Sequence, residues 1–87
     1  MPSTVLLSDL SVGTAGVIEG LPHDSDALTR LRELGFVPGT RVLLVRRAPL
    51  GDPIEVSIRG SRLAMRKGEA RQIRVLAEVN AMDQKTV

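Results

Sequence analysis

With 87 residues, the chain holds one domain with a small core. Hydrophobic residues make up 43%, which excludes wholesale disorder, and no apolar run is long enough to cross a bilayer. There is no Cys, so disulfides and thiolate metal sites are excluded; the net charge of +2, with most Arg residues near an acid, describes a solvated surface rather than a nucleic-acid stripe.

In chain order, residues 1–4 are expected to be a loose end, 5–77 the folded domain and 78–87 a flexible tail. The start carries neither the basic segment nor the long apolar segment of a secretory signal, so a cytoplasmic location is the simplest expectation. Ser8 and Asp9 suit a turn that docks Leu7 and Leu10 on the core. Residues 13–20 predict a first strand, with glycines at its ends and middle marking bulges or sharp bends. Pro22, His23, Asp24, Ser25 and Asp26 form a polar break, in which Asp24 or Ser25 can cap a following helix.

The helix itself is read from spacing. Ala27, Leu31 and Leu34 fall at i, i+4 and i+7, and Leu28 widens the same apolar face. Gly35 suits a left-handed helix end, and Phe36, the only aromatic residue, can fold back on the last turn. Pro38 and Gly39 then turn the chain. Residues 40–45 are a strand by composition, and 48–53 a turn by every local sign. Residues 54–59 alternate apolar and polar as a half-buried strand does. A short turn at Gly60 and Ser61 leads to a strand around Leu63 and Met65. A one-turn connector at 67–70 and a closing strand at 72–76 complete the pattern.

The expected fold is mainly β: a small, strongly bent barrel of about five strands, with one short α-helix after the first strand. Leu28, Leu31, Leu34 and Phe36 should stopper one end. Each such burial contributes about 1.5–3 kcal/mol, so Leu31→Asp or Leu34→Asp is expected to unfold the domain.

These residues resemble a family. Leu7-Ser8-Asp9-Leu10 followed by Gly13, then Arg30-Leu31-Arg32-Glu33-Leu34-Gly35-Phe36-Val37-Pro38-Gly39-Thr40, is similar to the FeoA family of small ferrous iron transport proteins. The likeness continues through Ala48-Pro49-Leu50-Gly51-Asp52-Pro53-Ile54 and Leu63-Ala64-Met65-Arg66-Lys67-Gly68-Glu69-Ala70, to Ile73 and Val75. The resemblance implies an SH3-like barrel and a cytoplasmic accessory of FeoB, the membrane transporter with a GTPase domain that imports ferrous iron. It implies docking on the cytoplasmic part of FeoB, with an effect on assembly or on GTPase or transport activity. The same barrel resembles the C-terminal domain of iron-dependent repressors, so a metal-binding or metal-sensing domain is the alternative.

Reactive constellations are sparse. His23, Asp24 and Asp26 offer donors that ferrous iron accepts, but Asp and Ser are wanted at a helix start for capping anyway. No cofactor is required on this reading, and any divalent metal binding would be weak. Gly13 and Gly16 match neither the dinucleotide fingerprint nor the phosphate-binding loop. With no Cys nucleophile and no acid pair set apart from the surface, an enzyme is not expected. One Phe without Tyr or Trp also argues against base stacking, hence against a nucleic-acid partner. There remains the turn from Arg46 to Pro53, stiffened by Pro49, Gly51 and Pro53. Leu50 at its tip is either tucked against Phe36 or exposed as a docking knob rimmed by Arg46, Arg47 and Asp52, with Pro49 beside it.

Overall fold

The computed structural model describes residues 3–21 and 26–78, with side chains throughout except at positions 26–28. Six strands form one antiparallel sheet: β1 (Thr4–Leu6), β2 (Ala15–Gly20), β3 (Arg41–Arg47), β4 (Ile54–Ile58), β5 (Ser61–Met65) and β6 (Arg74–Ala77). Their order across the sheet is β1-β6-β2-β3-β4-β5. A 3-10 turn at Leu7–Asp9 follows β1, the helix α1 (Asp26–Glu33) joins β2 to β3, and a four-residue helix α2 (Lys67–Ala70) joins β5 to β6.

The sheet bends because it carries extra residues. The β3–β4 ladder pairs Leu44 with Val56 and then Arg46 with Glu55, so Val45 has no partner. A second register shift between Ile18 and Gly20 bends β2 against β6. The concave side collects Ile18, Val42, Leu44, Ile54, Val56, Ile58, Met65 and Val75 in one core, with Leu7, Leu10, Leu31 and Phe36 closing over them. The alternation expected of β4 is borne out, since Ile54, Val56 and Ile58 are buried and Glu55 and Ser57 are not.

Helix α1 ends as its sequence requires. The Gly35 N–H donates to the Arg32 carbonyl at 3.0 Å and the Phe36 N–H to the Leu31 carbonyl at 3.0 Å. That pair of bonds is the Schellman arrangement, and Gly35 takes the left-handed φ of 114° that it needs. Leu31 and Phe36, the two positions that such a cap brings together, are both buried in the core.

Four expectations are corrected. The sheet has six strands rather than about five, and the helix follows the second strand, because Thr4, expected to be loose, opens β1 on the edge of β6. Three residues are too few for any periodic pattern, so only the tertiary pairing defines this strand. Leu34 is not part of the stopper: it is 49% exposed. The regular helix stops at Glu33 and the chain turns at once to bring in Phe36, which is fully buried beside Leu31. The β4–β5 turn lies one residue earlier than expected, at Arg59 and Gly60, both with positive φ as a tight two-residue hairpin demands. Glu78, assigned to the loose tail, donates its N–H to the Ala15 carbonyl and pairs with Arg41 at 2.8 Å. Among the described residues, no helix is long and apolar enough to cross a membrane.

Candidate functional site

The strands β3 and β4 project a six-residue turn, residues 48–53, from the end of the sheet. Its base is closed by the Ala48 N–H donating to the Pro53 carbonyl at 3.0 Å. Its tip is a β-turn with Pro49 at the second position, where the fixed φ of proline fits, and the Gly51 N–H donates back to the Ala48 carbonyl at 2.7 Å. Gly51 has φ 90°, and the Asp52–Pro53 peptide bond is cis. Leu50 is held at the third position of this tip and is 96% exposed. The alternative in which Leu50 tucks against Phe36 is therefore excluded.

The expected polar rim divides in two. Arg46 stays on the surface, its side chain 70% exposed, with Glu55 at 3.6 Å. Arg47 turns inward instead. Its Nη2 donates to the Ser8 carbonyl at 2.8 Å and to the Leu10 carbonyl at 2.6 Å, tying the root of the turn to the 3-10 turn. Asp52 is likewise occupied: Oδ1 accepts the Lys67 N–H at 2.9 Å and Oδ2 lies 3.5 Å from Arg66. It does for α2 what an N-cap residue does, but from across the fold. The Glu69 carboxylate accepts the Arg66 N–H at 3.3 Å and completes that helix start.

Arg47 and Asp52 thus anchor the turn rather than rim it, and Arg46, Pro49 and Leu50 remain on its outer surface. Arg47→Met keeps the aliphatic stem and removes both charged hydrogen bonds, so it should destabilise the fold by about 1.5–3 kcal/mol, read by urea denaturation.

Of the other sequence-derived candidates, Leu31 and Phe36 are core residues. His23 and Asp24 lie outside the described residues, as do the side chains of Asp26 and Leu28. Among the described residues, no three His, Cys, Asp or Glu side chains converge as a metal site would require. Spacing alone did not single out Glu55 and Ala64, which the strand register places in a row with Arg46 on the convex face, or Arg62, which lies opposite Ser57 and reaches Glu55.

This arrangement of bent sheet, capped helix and proline-stiffened turn has relatives. The FeoA domain model matches residues 5–77. The chain belongs to the FeoA family. The solution structure of FeoA from Chlorobium tepidum is 37% identical, with a TM-score of 0.80 over 86% of this chain and 71% of that one. The FeoA of Stenotrophomonas maltophilia, a prokaryotic SH3 domain protein crystallised with zinc, is 38% identical, with a TM-score of 0.70 over 85% of this chain and 89% of that one. The fold of this FeoA-family chain is accordingly SH3-like. A manganese-dependent transcriptional repressor aligns with a TM-score of 0.78 at 20% identity, over 90% of this chain and 38% of the repressor, a likeness of fold alone. No curated protein sequence matches the chain.

Proposed function

We propose that this FeoA-family chain is a cytoplasmic accessory of ferrous iron uptake. It docks on the cytoplasmic region of the FeoB transporter through the β3–β4 turn and thereby modulates the transporter's assembly or its GTPase and transport activity. The observation that carries the reading is Leu50, a large apolar side chain 96% exposed at the tip of a turn that backbone hydrogen bonds and two prolines hold rigid. An exposed leucine on a mobile loop would lose much of its binding free energy to ordering. Here the ordering is complete before the partner arrives. A side chain that fills a desolvated pocket near the centre of an interface acts as a hot spot, worth about 2 kcal/mol or more on truncation.

The test is a binding titration of the intact chain with the soluble cytoplasmic region of a FeoB transporter. Leu50→Asp should melt as the parent protein does, since Leu50 touches no core, and should bind at least about 30-fold more weakly. A folded Leu50→Asp protein that binds as tightly as the parent refutes the docking role. A second reading, metal binding, is favoured by one observation: the Stenotrophomonas maltophilia relative carries zinc. His23, Asp24 and Asp26 would be its donors, and an anaerobic calorimetric titration of the chain and of His23→Ala with ferrous iron separates the two readings.

A further inference from the structure

Between the Leu50 turn and the open edge of the sheet lies a groove of about 210 Å3, lined by Arg46, Ala48, Pro53, Ile54, Glu55 and Ala64. Strand register explains it. Arg46, Glu55 and Ala64 stand side by side across β3, β4 and β5, and the small methyl of Ala64 leaves the outer wall low.

Beyond Ala64 the sheet stops, because among the described residues β5 pairs only with β4. The two-residue turn makes Ile58 and Ser61 a hydrogen-bonded pair, so Leu63 and Met65 also bond across to β4. Arg62 and Ala64 then present their N–H and C=O groups to the open edge. Side chains alternate along this strand as well: Arg62 and Ala64 lie on the convex face, while Leu63 sits half-buried at the rim of the core.

The charge at the groove is lopsided. The Arg46 and Arg62 side chains, 70% and 68% exposed, share the single Glu55 carboxylate at 3.6 and 3.5 Å. Exposed pairs at such distances hold weakly, so a better-placed carboxylate can displace them. Two guanidinium groups against one carboxylate leave an unbalanced positive charge beside an unpaired strand edge.

We propose that this edge receives an extended polypeptide segment of alternating acidic and apolar residues, which adds to β5 as a further strand. Its backbone pairs with Arg62 and Ala64. Its carboxylates reach Arg62 and, over the low wall at Ala64, Arg46, while its apolar side chains cover Leu63 on the other face. The acidic partner chemistry deepens the docking reading given above, and rests on it only for which protein carries the segment.

The experiment uses the intact chain and a synthetic peptide of alternating Glu and Val, followed by fluorescence anisotropy. Peptide binding that is absent for an alternating Lys–Val peptide is expected. Arg46→Ala with Arg62→Ala should weaken it about tenfold, and Glu55→Gln, which frees both arginines, should tighten it about threefold. Ala64→Pro removes an edge N–H without touching the β4 ladder, so it should melt normally and lose the peptide. Binding indifferent to these changes, or binding to phosphatidylglycerol vesicles in place of the peptide, overturns the proposal. The probe contains no transporter sequence, so a failed Leu50→Asp test and a failed peptide test are read separately.

Discussion

Leu31→Asp is expected to abolish the cooperative thermal melt of this chain, whereas Leu34→Asp should keep it. The two leucines are one helical turn apart and look equivalent in spacing, but Leu31 is 1% exposed and Leu34 is 49% exposed. Leu31 is packed into the same cluster as Leu7, Phe36, Val42 and Val56. Truncating a leucine there costs about 2–5 kcal/mol through lost burial and the cavity left behind. An aspartate adds the desolvation of a charge in an apolar core, with a total stability of only about 5–15 kcal/mol to oppose it. Circular dichroism with temperature reads the outcome. Leu34→Asp should shift stability by less than about 1 kcal/mol, because most of its side chain already meets water.

The second large effect is expected at Gly35. Its φ of 114° belongs to a region that L side chains rarely adopt, and a Cβ built there would lie 2.5 Å from the Arg59 Cδ. The Arg59 side chain therefore lies across Gly35, and a Cβ at that position fits only if this side chain shifts. Gly35→Ala should cost about 2–4 kcal/mol, combining backbone strain with displacement of the Arg59 stem. Arg59 itself sits at φ 51°, so Arg59→Gly alone removes a strained residue at little cost. In the double variant the steric part should disappear while the backbone part stays. Chemical denaturation of the four proteins would then show a coupling of about 0.5–1 kcal/mol. Strict additivity would mean that Arg59 does not hold Gly35 in this conformation.

What the sequence disclosed follows how local each feature is. The helix stop was legible because the cap needs only the six residues from Leu31 to Phe36, with a glycine where the chain turns left-handed. The buried face of β4 was legible for the same reason. Leu34 misled because apolar periodicity ran past the point where the helix ends. β1 was hidden, since Thr4, Val5 and Leu6 become a strand only by meeting Leu76, Val75 and Arg74. The candidate site divides the same way. Leu50, between Pro49 and Gly51, was recognisable as a stiff tip. The duties of Arg47 and Asp52 were not, because their partners Ser8, Leu10 and Lys67 are remote along the chain. Nor could the row of Arg46, Glu55 and Ala64 be read without the strand register and its bulge.

The position of β6 bears on how the protein is made. Strands β2, β3 and β4 each lie beside their successor, so a growing polypeptide can zip β2 to β5 together as it leaves the ribosome. β6 instead slots between β2 and β1, two segments synthesised long before it. Until Arg74 to Ala77 emerge, the first strand has no neighbour and the nascent meander keeps a raw flank. Synthesis that halts ahead of Arg74 therefore yields a product with a missing middle plank rather than a slightly shorter sheet.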